Sequence, residues 1–264
     1  MVLEIDLSGK SALITAASKG IGYGIADILA KCGADVIITA RNEENLRKAA
    51  EDLKNKHGVD VYWVKADNTK LDDLSNLVNF VEGLGGVDIF VFNTGGPKPG
   101  NFMDLDMKDW EDSVRILLYP AVYLTRALLR RMLDKGWGRI IYSTSVAIKE
   151  PMVGLVLSNA VRLSLAGLIR TLSKEVGGKG ITVNGIMPGY ILTDRVKEIA
   201  IKRAEDRGVT VDDIINEIVS RIPASRMGSP QEIGYLAAFL ASDYASYING
   251  AIIPVDGGLL NSSL

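Results

Sequence analysis

Short strand-like runs alternate with longer helix-like segments along almost the whole chain of 264 residues. The runs are rich in Val and Ile and nearly continuous in apolar residues, which is typical of strands covered by helices on both faces. Strands separated by helical segments predict βαβ units and a parallel sheet. We therefore expect a doubly wound α/β sheet of about seven strands. The strand-like runs cover residues 11–15, 35–40, 59–66, 87–92, 138–145, 181–187 and 251–255.

Helical segments fit between these strands, and 47% of all residues are hydrophobic, so we expect one domain spanning residues 1–264. Residues 192–225 lack a strand pattern and are rich in charge, which predicts a helical flap over the sheet edge rather than a second domain. Helices are predicted to begin near Gly20, Asn42, Lys70, Lys108, Val156 and Pro230.

Charge and hydropathy disfavour several classes of partner. The formal net charge is −2 without a block of Lys or Arg, so we expect neither nucleic acid nor an anionic membrane as a partner. No segment reaches the roughly 18 apolar residues of a membrane span, and residues 1–10 lack the apolar core of a signal peptide. We therefore expect a cytoplasmic protein with a small-molecule substrate.

The chain has a single cysteine, Cys32, and a single histidine, His57. A lone cysteine cannot form an intrachain disulfide, and we expect Cys32 to fill apolar space in a helix. His57 is predicted to lie in a solvated loop. These two residues do not suffice for a zinc site, and a Ser-His-Asp hydrolase would require His57 to leave its loop. We therefore expect no metal.

A glycine-containing segment, residues 15–22, follows the first predicted strand and leads into a helix. Glycine allows backbone N–H groups to approach a pyrophosphate, and the N-terminus of a helix carries partial positive charge. The position after the first strand of a βαβ series strengthens this interpretation, although a tight turn without a ligand remains the alternative. The expected dinucleotide contacts are Thr15, Ser18, Lys19, Gly20, Ile21 and Gly22.

With later segments in the same order, the chain resembles the short-chain dehydrogenase/reductase family over essentially its whole length. Residues 15–22 match the family's Thr-Gly-x-x-x-Gly-x-Gly loop, except that Ala16 replaces the first Gly. Overall likeness is greatest to the 3-oxoacyl-acyl-carrier-protein reductase-like branch. The resemblance implies a Rossmann-type fold, NAD(P)-dependent oxidoreductase activity and a homotetramer. An apolar helix around Leu163 to Leu172 and the C-terminal residues 251–264, which could cover a neighbouring chain, agree with such an assembly.

The resemblance also implies further cofactor contacts. Asp67 and Asn68, after the third predicted strand, correspond to the residues that bind adenine. Asn93 and Gly95 belong to a segment similar to the end of the family's Asn-Asn-Ala-Gly motif. The Pro-Gly segment that holds the nicotinamide carboxamide corresponds here to Pro188, Gly189, Ile191 and Thr193.

Charge near the second strand bears on the type of cofactor. NAD-binding relatives carry a carboxylate there, which binds the ribose 2′-hydroxyl and repels a 2′-phosphate. This chain has Arg41 instead, and Lys19 adds a second cation. An Arg–phosphate pair is worth roughly 1.5–3 kcal/mol, on the order of ten- to a hundredfold in affinity. We expect NADP(H) to be preferred over NAD(H), the alternative being that both cations are only solvated surface groups.

The residues implied for catalysis depart from the family's pattern. In the family, a Ser polarises the substrate carbonyl, a Tyr thirteen residues later delivers a proton, and a Lys four residues after the Tyr lowers the phenol pKa. Ser145 fits the first role, but Ser158 stands thirteen residues later and Arg162 four residues after that. No Tyr in the chain has a Lys four residues after it, and Leu117 stands where the family has a supporting Asn.

These replacements predict altered proton delivery. A cation can bring a phenol pKa from near 10 towards neutrality, whereas a serine hydroxyl is far too weak an acid. Arg162 retains positive charge and donors for the ribose but does not release a proton. Other candidate proton sources are Tyr142, which strand alternation places on the other side of the sheet, Tyr190, Lys98, Lys149 and Glu150.

We therefore expect an NADP(H)-dependent oxidoreductase that acts on a small carbonyl or alcohol substrate, with an atypical catalytic site. Hydride transfer belongs to the cofactor, so the protein needs orientation, polarisation by Ser145 and a proton path, for which water near Ser158 is one route. The alternative is a non-catalytic dinucleotide-binding module, such as a redox sensor or an assembly subunit, because one fold hosts many functions.

Overall fold

The computed structural model describes residues 4–262, with the side chains of residues 195, 202 and 206 excepted. The strands are β1 Ser11–Ile14, β2 Asp35–Ala40, β3 Val61–Lys65, β4 Ile89–Phe92, β5 Gly138–Ser143, β6 Ile181–Pro188 and β7 Ile252–Val255. Across the described residues they form a seven-stranded sheet in the order β3-β2-β1-β4-β5-β6-β7. Every neighbouring pair is parallel, which confirms the predicted doubly wound α/β fold.

The helices agree closely with the predicted starts. Those predicted at Gly20, Val156 and Pro230 begin there, and the other three begin within one residue of their predicted positions. One helix was not predicted, because only Leu118 separates it from the preceding helix. The helices are α1 Gly20–Lys31, α2 Glu43–His57, α3 Leu71–Gly83, α4 Met107–Leu117, α5 Tyr119–Lys135, α6 Val156–Val176, α7 Asp194–Arg207, α8 Val211–Ser220 and α9 Pro230–Ala241.

Each face of the sheet packs against its own apolar layer. Leu46 of α2 belongs to the layer that also includes residues of α1 and α9, and Leu165 of α6 belongs to the layer formed with α3 and α5. The edge strand β3 departs from the expectation of full cover, since Tyr62 is 38% exposed and Trp63 37% exposed. Consecutive strand residues point to opposite faces, so both faces of β3 are only partly covered.

The segment predicted as a flap contains two helices, α7 and α8. Ala200, Ala204, Ile214 and Ile218 form a separate small apolar cluster between them, which Tyr190 and Leu259 also contact. Because Tyr190 follows β6 and Leu259 follows β7, the flap is anchored to the ends of two strands. Within the described residues, no helix combines the length and apolar character needed to cross a membrane.

The prediction that His57 lies in a solvated loop is wrong. Helix α2 continues through His57 and ends at Gly58, which adopts the left-handed conformation at φ 70°. The His57 side chain is 15% exposed, and its Nε2 lies 2.8 Å from Asp27 Oδ1 of α1. Cys32 lies directly after α1 rather than within it and is half-buried.

Candidate functional site

The strand order reverses between β1 and β4, and polar groups join these strands where they end. Thr15 Oγ1 donates to Asn93 O at 2.6 Å and accepts from Asn93 N at 2.9 Å. Asn93 Nδ2 also donates to the carbonyl oxygens of Thr15 and Ala16, each at 3.3 Å. Both residues are buried, so they fix the floor of the crevice in which doubly wound folds bind ligands.

The loop after β1 approaches this floor closely and leads into α1. A Cβ atom on Gly22 would lie 2.4 Å from Ala16 O and 2.8 Å from Asn93 Nδ2, so only glycine fits there. No side chain caps α1 at Lys19, and its first turn has no acidic residue. The first backbone N–H groups of a helix lack intrahelical acceptors, so this uncapped end suits an anionic group such as a pyrophosphate.

Ala16 occupies a backbone conformation that favours glycine. Its φ is +50°, whereas the next residue, Ala17, has no positive φ. Among the described residues, Ser225 is the other non-glycine residue with positive φ. A Cβ atom in the left-handed region approaches the following carbonyl oxygen, so alanine is strained at this position. The replacement of glycine by Ala16 therefore has a conformational cost but does not prevent the loop from forming.

Polar atoms without protein partners border the crevice beside β2 and β3. Thr39 Oγ1 and Asn68 Oδ1 are buried and have no hydrogen-bond partner in the described part of the chain. Asp67 Oδ1 accepts from Thr69 N at 3.0 Å and from Thr69 Oγ1 at 2.8 Å, which holds the turn after β3 in place. Buried polar atoms are normally bonded, so Thr39 and Asn68 are suited to contact a polar ligand or water.

Two cations follow the strands β1 and β2. Arg41, just after β2, is exposed and forms no hydrogen bond or ion pair with the described residues. Lys19 Nζ lies 3.5 Å from Asp194 Oδ2 at the start of α7, an exposed ion pair that sequence reasoning did not predict. A groove of about 480 Å³ runs beside the loop and is lined by Ser18, Lys19, Gly20, Tyr23, Asn45, Lys48, Ala49, Asp52 and Asp194.

Three further predicted residues lie where β4, β5 and α6 meet. Ser145 begins the turn after β5, and its Oγ accepts from Ala147 N at 3.2 Å. Arg162 is 7% exposed, and its guanidinium donates to Ser158 Oγ at 3.2 Å, to Gly95 O at 3.3 Å and to Thr144 O at 3.4 Å. The guanidinium therefore bridges the segments that follow β4 and β5. Its acceptor after β5, Thr144, directly precedes Ser145.

Leu117 is fully buried at the end of α4. Its side chain offers no hydrogen-bonding group, so a supporting amide is not available at this position. One turn earlier, Ser113 Oγ is also buried and has no partner among the described residues. The carbonyl oxygen of Ile116 accepts from Thr94 Oγ1 at 3.4 Å, which ties α4 to the segment after β4.

The other candidate proton sources are mostly engaged elsewhere. Burial raises the pKa of Tyr142 far above its usual value, and its hydroxyl lies 2.6 Å from Thr125 Oγ1 inside the core. Lys98 Nζ lies 2.9 Å from Asp109 Oδ2, and the Glu150 carboxylate accepts from the backbone of residues 261–262. Tyr190 packs against the flap cluster.

The Pro-Gly segment at the end of β6 lies beside the glycine loop. Gly189 N donates to Val255 O at 3.0 Å, and Ile191 pairs with Gly228 in an isolated parallel bridge. A Cβ atom on Gly20 would lie 3.4 Å from Thr193 Cγ2, so the two segments are in contact range. The predicted contacts from β1 and β6 therefore border one crevice.

Sequence reasoning did not assign a role to Asn159, next to Ser158 on α6. Its Nδ2 donates to Met152 O at 2.8 Å, and its Oδ1 accepts from Met152 N at 3.3 Å. Gly100 N donates to Gly154 O at 2.7 Å, which joins the same loop to the segment after β4. An amide at the start of a helix after a Pro- and Gly-containing loop was the available signal.

Two comparisons with known proteins both find acyl-carrier-protein reductases. A family model described as enoyl-(acyl carrier protein) reductase matches residues 15–260. The 3-oxoacyl-[acyl-carrier-protein] reductase of Aquifex aeolicus is 33% identical over 264 residues, covering 97% of this chain and 100% of that protein.

Solved structures agree with this result. L-sorbose reductase from Gluconobacter frateurii, complexed with NADPH and L-sorbose, has a TM-score of 0.94 at 33% identity, with 98% of this chain and 100% of that chain covered. YwfH, an NADPH-dependent reductase involved in bacilysin biosynthesis, has a TM-score of 0.91 at 29% identity, with 97% and 100% covered. This chain belongs to the short-chain dehydrogenase/reductase family of oxidoreductases.

Proposed function

We propose that this protein is an NADP(H)-dependent oxidoreductase that acts on a small carbonyl or alcohol substrate and delivers the proton without the family's Tyr-Lys pair. The observation that carries the proposal is the arrangement of Ser145, Ser158 and Arg162 at the carboxyl ends of β4 and β5. It combines a hydroxyl for polarisation, a second hydroxyl for proton relay and a buried cation.

The residues at the crevice fit a dinucleotide. Gly22 leaves space that a Cβ atom would fill, and the α1 N-terminus beside it has no side-chain cap. Asn68 Oδ1 and Thr39 Oγ1 supply unpartnered polar atoms near the adenosine end. Arg41 offers a guanidinium to a 2′-phosphate, and two similar reductases bind or depend on NADPH. The bound nicotinamide would supply or accept the hydride.

Ser145 is suited to polarise the substrate oxygen. Its Oγ accepts the N–H of Ala147 at 3.2 Å, so the hydroxyl hydrogen is free to point at a carbonyl oxygen. A donor aimed at the oxygen stabilises the negative charge that develops there during reduction. Ser145 thus orients the carbonyl, and its Oγ bonds to a backbone N–H rather than to a base.

Ser158 provides a relay for the proton. Its Oγ accepts from Arg162 Nε at 3.2 Å, which leaves its hydrogen available to the substrate oxygen and a second lone pair available to water. As the Ser158 hydroxyl hydrogen moves to the substrate oxygen, a water hydrogen replaces it on Oγ, and the water is left as hydroxide or passes the deficit to solvent. Arg162 keeps its protons throughout and stabilises the negative charge that develops on Ser158 Oγ.

NADPH oxidation by the purified protein tests this proposal. L-sorbose and an acetoacetyl thioester are suitable first substrates, because the similar proteins include an L-sorbose reductase and a 3-oxoacyl-carrier-protein reductase. Substrate-dependent oxidation that falls in Ser145→Ala supports the proposal. NADPH binding without oxidation of any carbonyl across a broad panel of ketones, aldehydes and sugars favours the alternative of a non-catalytic dinucleotide-binding module. Ser158, Arg162 and Leu117 are the sequence features that favour this alternative.

A further inference from the structure

The C-terminal segment, residues 256–262, contacts both the flap region and the loop between Ser145 and Ser158. Asp256 Oδ1 accepts from Gly258 N at 3.1 Å and Oδ2 from Leu260 N at 2.9 Å, which folds the segment back after β7. Ala224 N, just after α8, donates to Gly257 O at 3.0 Å, and Leu259 packs against the flap cluster. The segment is therefore bound to the flap region by a backbone hydrogen bond and by the packing of Leu259.

The same segment is bound to the loop between Ser145 and Ser158 by one carboxylate. Glu150 Oε1 accepts from Asn261 N and Ser262 N, each at 2.7 Å. Asn261 Nδ2 lies 3.5 Å from Oε2 of the same carboxylate. Two short bonds to one charged oxygen are stronger than bonds between neutral groups. We refer to this contact as the Glu150 clasp.

The hydrogen bonds of the clasp favour the charged form of the Glu150 carboxylate. Burial alone would raise the pKa of Glu150, but bonds from the N–H groups of Ser262 and Asn261 stabilise the charged form and bring the pKa below its ordinary value. Glu150 N donates to Val146 O at 3.0 Å, so its backbone belongs to the turn that Ser145 begins. The clasp is therefore joined through the Glu150 backbone to the turn that follows Ser145.

Glu150 lies in the first half of the loop between Ser145 and Ser158, and other contacts hold the second half. Met152 is held by Asn159 and Gly154 by Gly100, so the second half of the loop is fixed to α6 and to the segment after β4. Among the described residues of this loop, Glu150 is the one whose side chain bonds to the segment that carries the flap contacts. Without it, the loop and the flap have no side-chain hydrogen bond between them through this segment.

We propose that Glu150 is a positioning residue that couples the flap to the Ser145–Ser158 loop through the C-terminal segment and so sets the substrate-binding side of the crevice. This inference rests on the proposed reductase function. The clasp does not touch Ser145 itself, which β5 and the Ala147 N–H hold in place. Its loss therefore weakens substrate binding while leaving the chemical step and the cofactor site largely unchanged.

Two independent variants remove the clasp, Glu150→Ala and a truncation that ends the chain at Leu260. With L-sorbose and NADPH, each is expected to raise KM by about three- to tenfold, in the range of one ordinary hydrogen bond. We expect kcat to change less than about twofold and NADPH affinity to stay constant. Because both variants remove the same contact, combining them should give no further increase.

Two controls separate positioning from general destabilisation. Glu150→Gln keeps an oxygen acceptor for both N–H groups and should restore most of the KM. Glu175→Ala removes an exposed carboxylate that forms no hydrogen bond or ion pair among the described residues of α6 and should leave KM unchanged.

Hydrogen–deuterium exchange tests the coupling independently of activity. Glu150→Ala should accelerate exchange in residues 256–262, and the truncation should accelerate exchange in residues 146–155, without changing β5. Unchanged exchange in either variant, or KM effects that add in the combined variant, overturns the inference. If the wild type reduces no carbonyl at all, the proposed function fails on that result, and the exchange data alone decide whether the clasp couples flap and loop.

Discussion

Arg162 Nε donates a 3.2 Å hydrogen bond to Ser158 Oγ, one turn earlier on α6. The same guanidinium reaches Gly95 O and Thr144 O, so it is held in a buried position between two strand ends. A guanidinium does not act as an acid near neutral pH, and a serine hydroxyl that passes on its proton must receive another. The pair therefore fits the proposed relay.

Arg41→Asp should reverse the cofactor preference. The wild type is expected to bind NADPH more tightly than NADH by about ten- to a hundredfold, because Arg41 pairs with the 2′-phosphate. The aspartate repels that phosphate and accepts from a free 2′-hydroxyl. Calorimetric titration with both cofactors measures the change. Arg47→Asp, at an exposed α2 position paired with Glu51, is the matched control and should keep the preference. Equal wild-type affinities would contradict the role of Arg41.

Ala16→Gly should stabilise the protein. Ala16 has φ +50°, and glycine relieves the strain of that conformation at the cost of some entropy in the unfolded chain. We expect the free energy of unfolding to rise by roughly 0.5–1 kcal/mol. Urea denaturation measures it. Ala17→Gly, at a buried neighbour without positive φ, should instead lower stability. A loss of stability in Ala16→Gly would show that the loop tolerates alanine without strain.

Glu232 should contribute to acid sensitivity. The bonds from Arg226 and from Ser229 N lower the pKa of Glu232 from 4.5 to about 2. Its folded-state pKa is depressed, so its stabilisation is complete above pH 4.5 and is lost as the pH falls towards 2. Between these values the unfolding free energy of the wild type should fall more steeply than that of Glu232→Gln. Parallel pH profiles from chemical denaturation, with Glu175→Gln as reference, would refute this.

The protein is expected to form a homotetramer. Tyr119 and Val122 of α5 and Leu163 of α6 are 51%, 43% and 52% exposed, a considerable apolar area for helices of one molecule. Sedimentation at micromolar concentrations should show four chains. Leu163→Glu places a charge on this surface and should weaken association, whereas Glu175→Ala on the same helix should not. A monomeric wild type would contradict the prediction.

The regular pattern of strands and helices made the fold predictable, and the local exceptions were not. Apolar runs located the seven strands of the described residues. Because helices cover most of both faces of the sheet, these strands are almost continuously apolar and do not alternate between apolar and polar residues. Helix α5 was missed because no turn residue separates it from α4. His57 was misplaced because the polar end of α2 resembles a loop, while its contact with Asp27 depends on packing between helices.

At the site, spacing along the chain placed Ser145, Ser158 and Arg162 in one region. Most of their hydrogen bonds, however, depend on segments that are distant in the sequence and meet only in the fold. Nothing local indicated that Gly95 O and Thr144 O would accept from Arg162, since these residues lie 67 and 18 positions away. The Glu150 clasp spans 111 residues and was equally invisible. Residue types thus predicted candidates, whereas long-range contacts determine what each side chain does.

The proposed proton relay is tested by comparing NADPH oxidation by the wild type with that by Ser158→Tyr combined with Arg162→Lys. A phenol beside a lysine restores an acid whose pKa can approach neutrality, and general acid catalysis is worth roughly 10²- to 10⁴-fold. With L-sorbose or an acetoacetyl thioester, we expect slow wild-type turnover, a large increase in the double variant and NADPH affinity within about tenfold. Leu117→Asn should add to the increase if the missing amide limits it. Rapid wild-type reduction that survives Ser158→Ala would contradict the relay and direct the search to Tyr190.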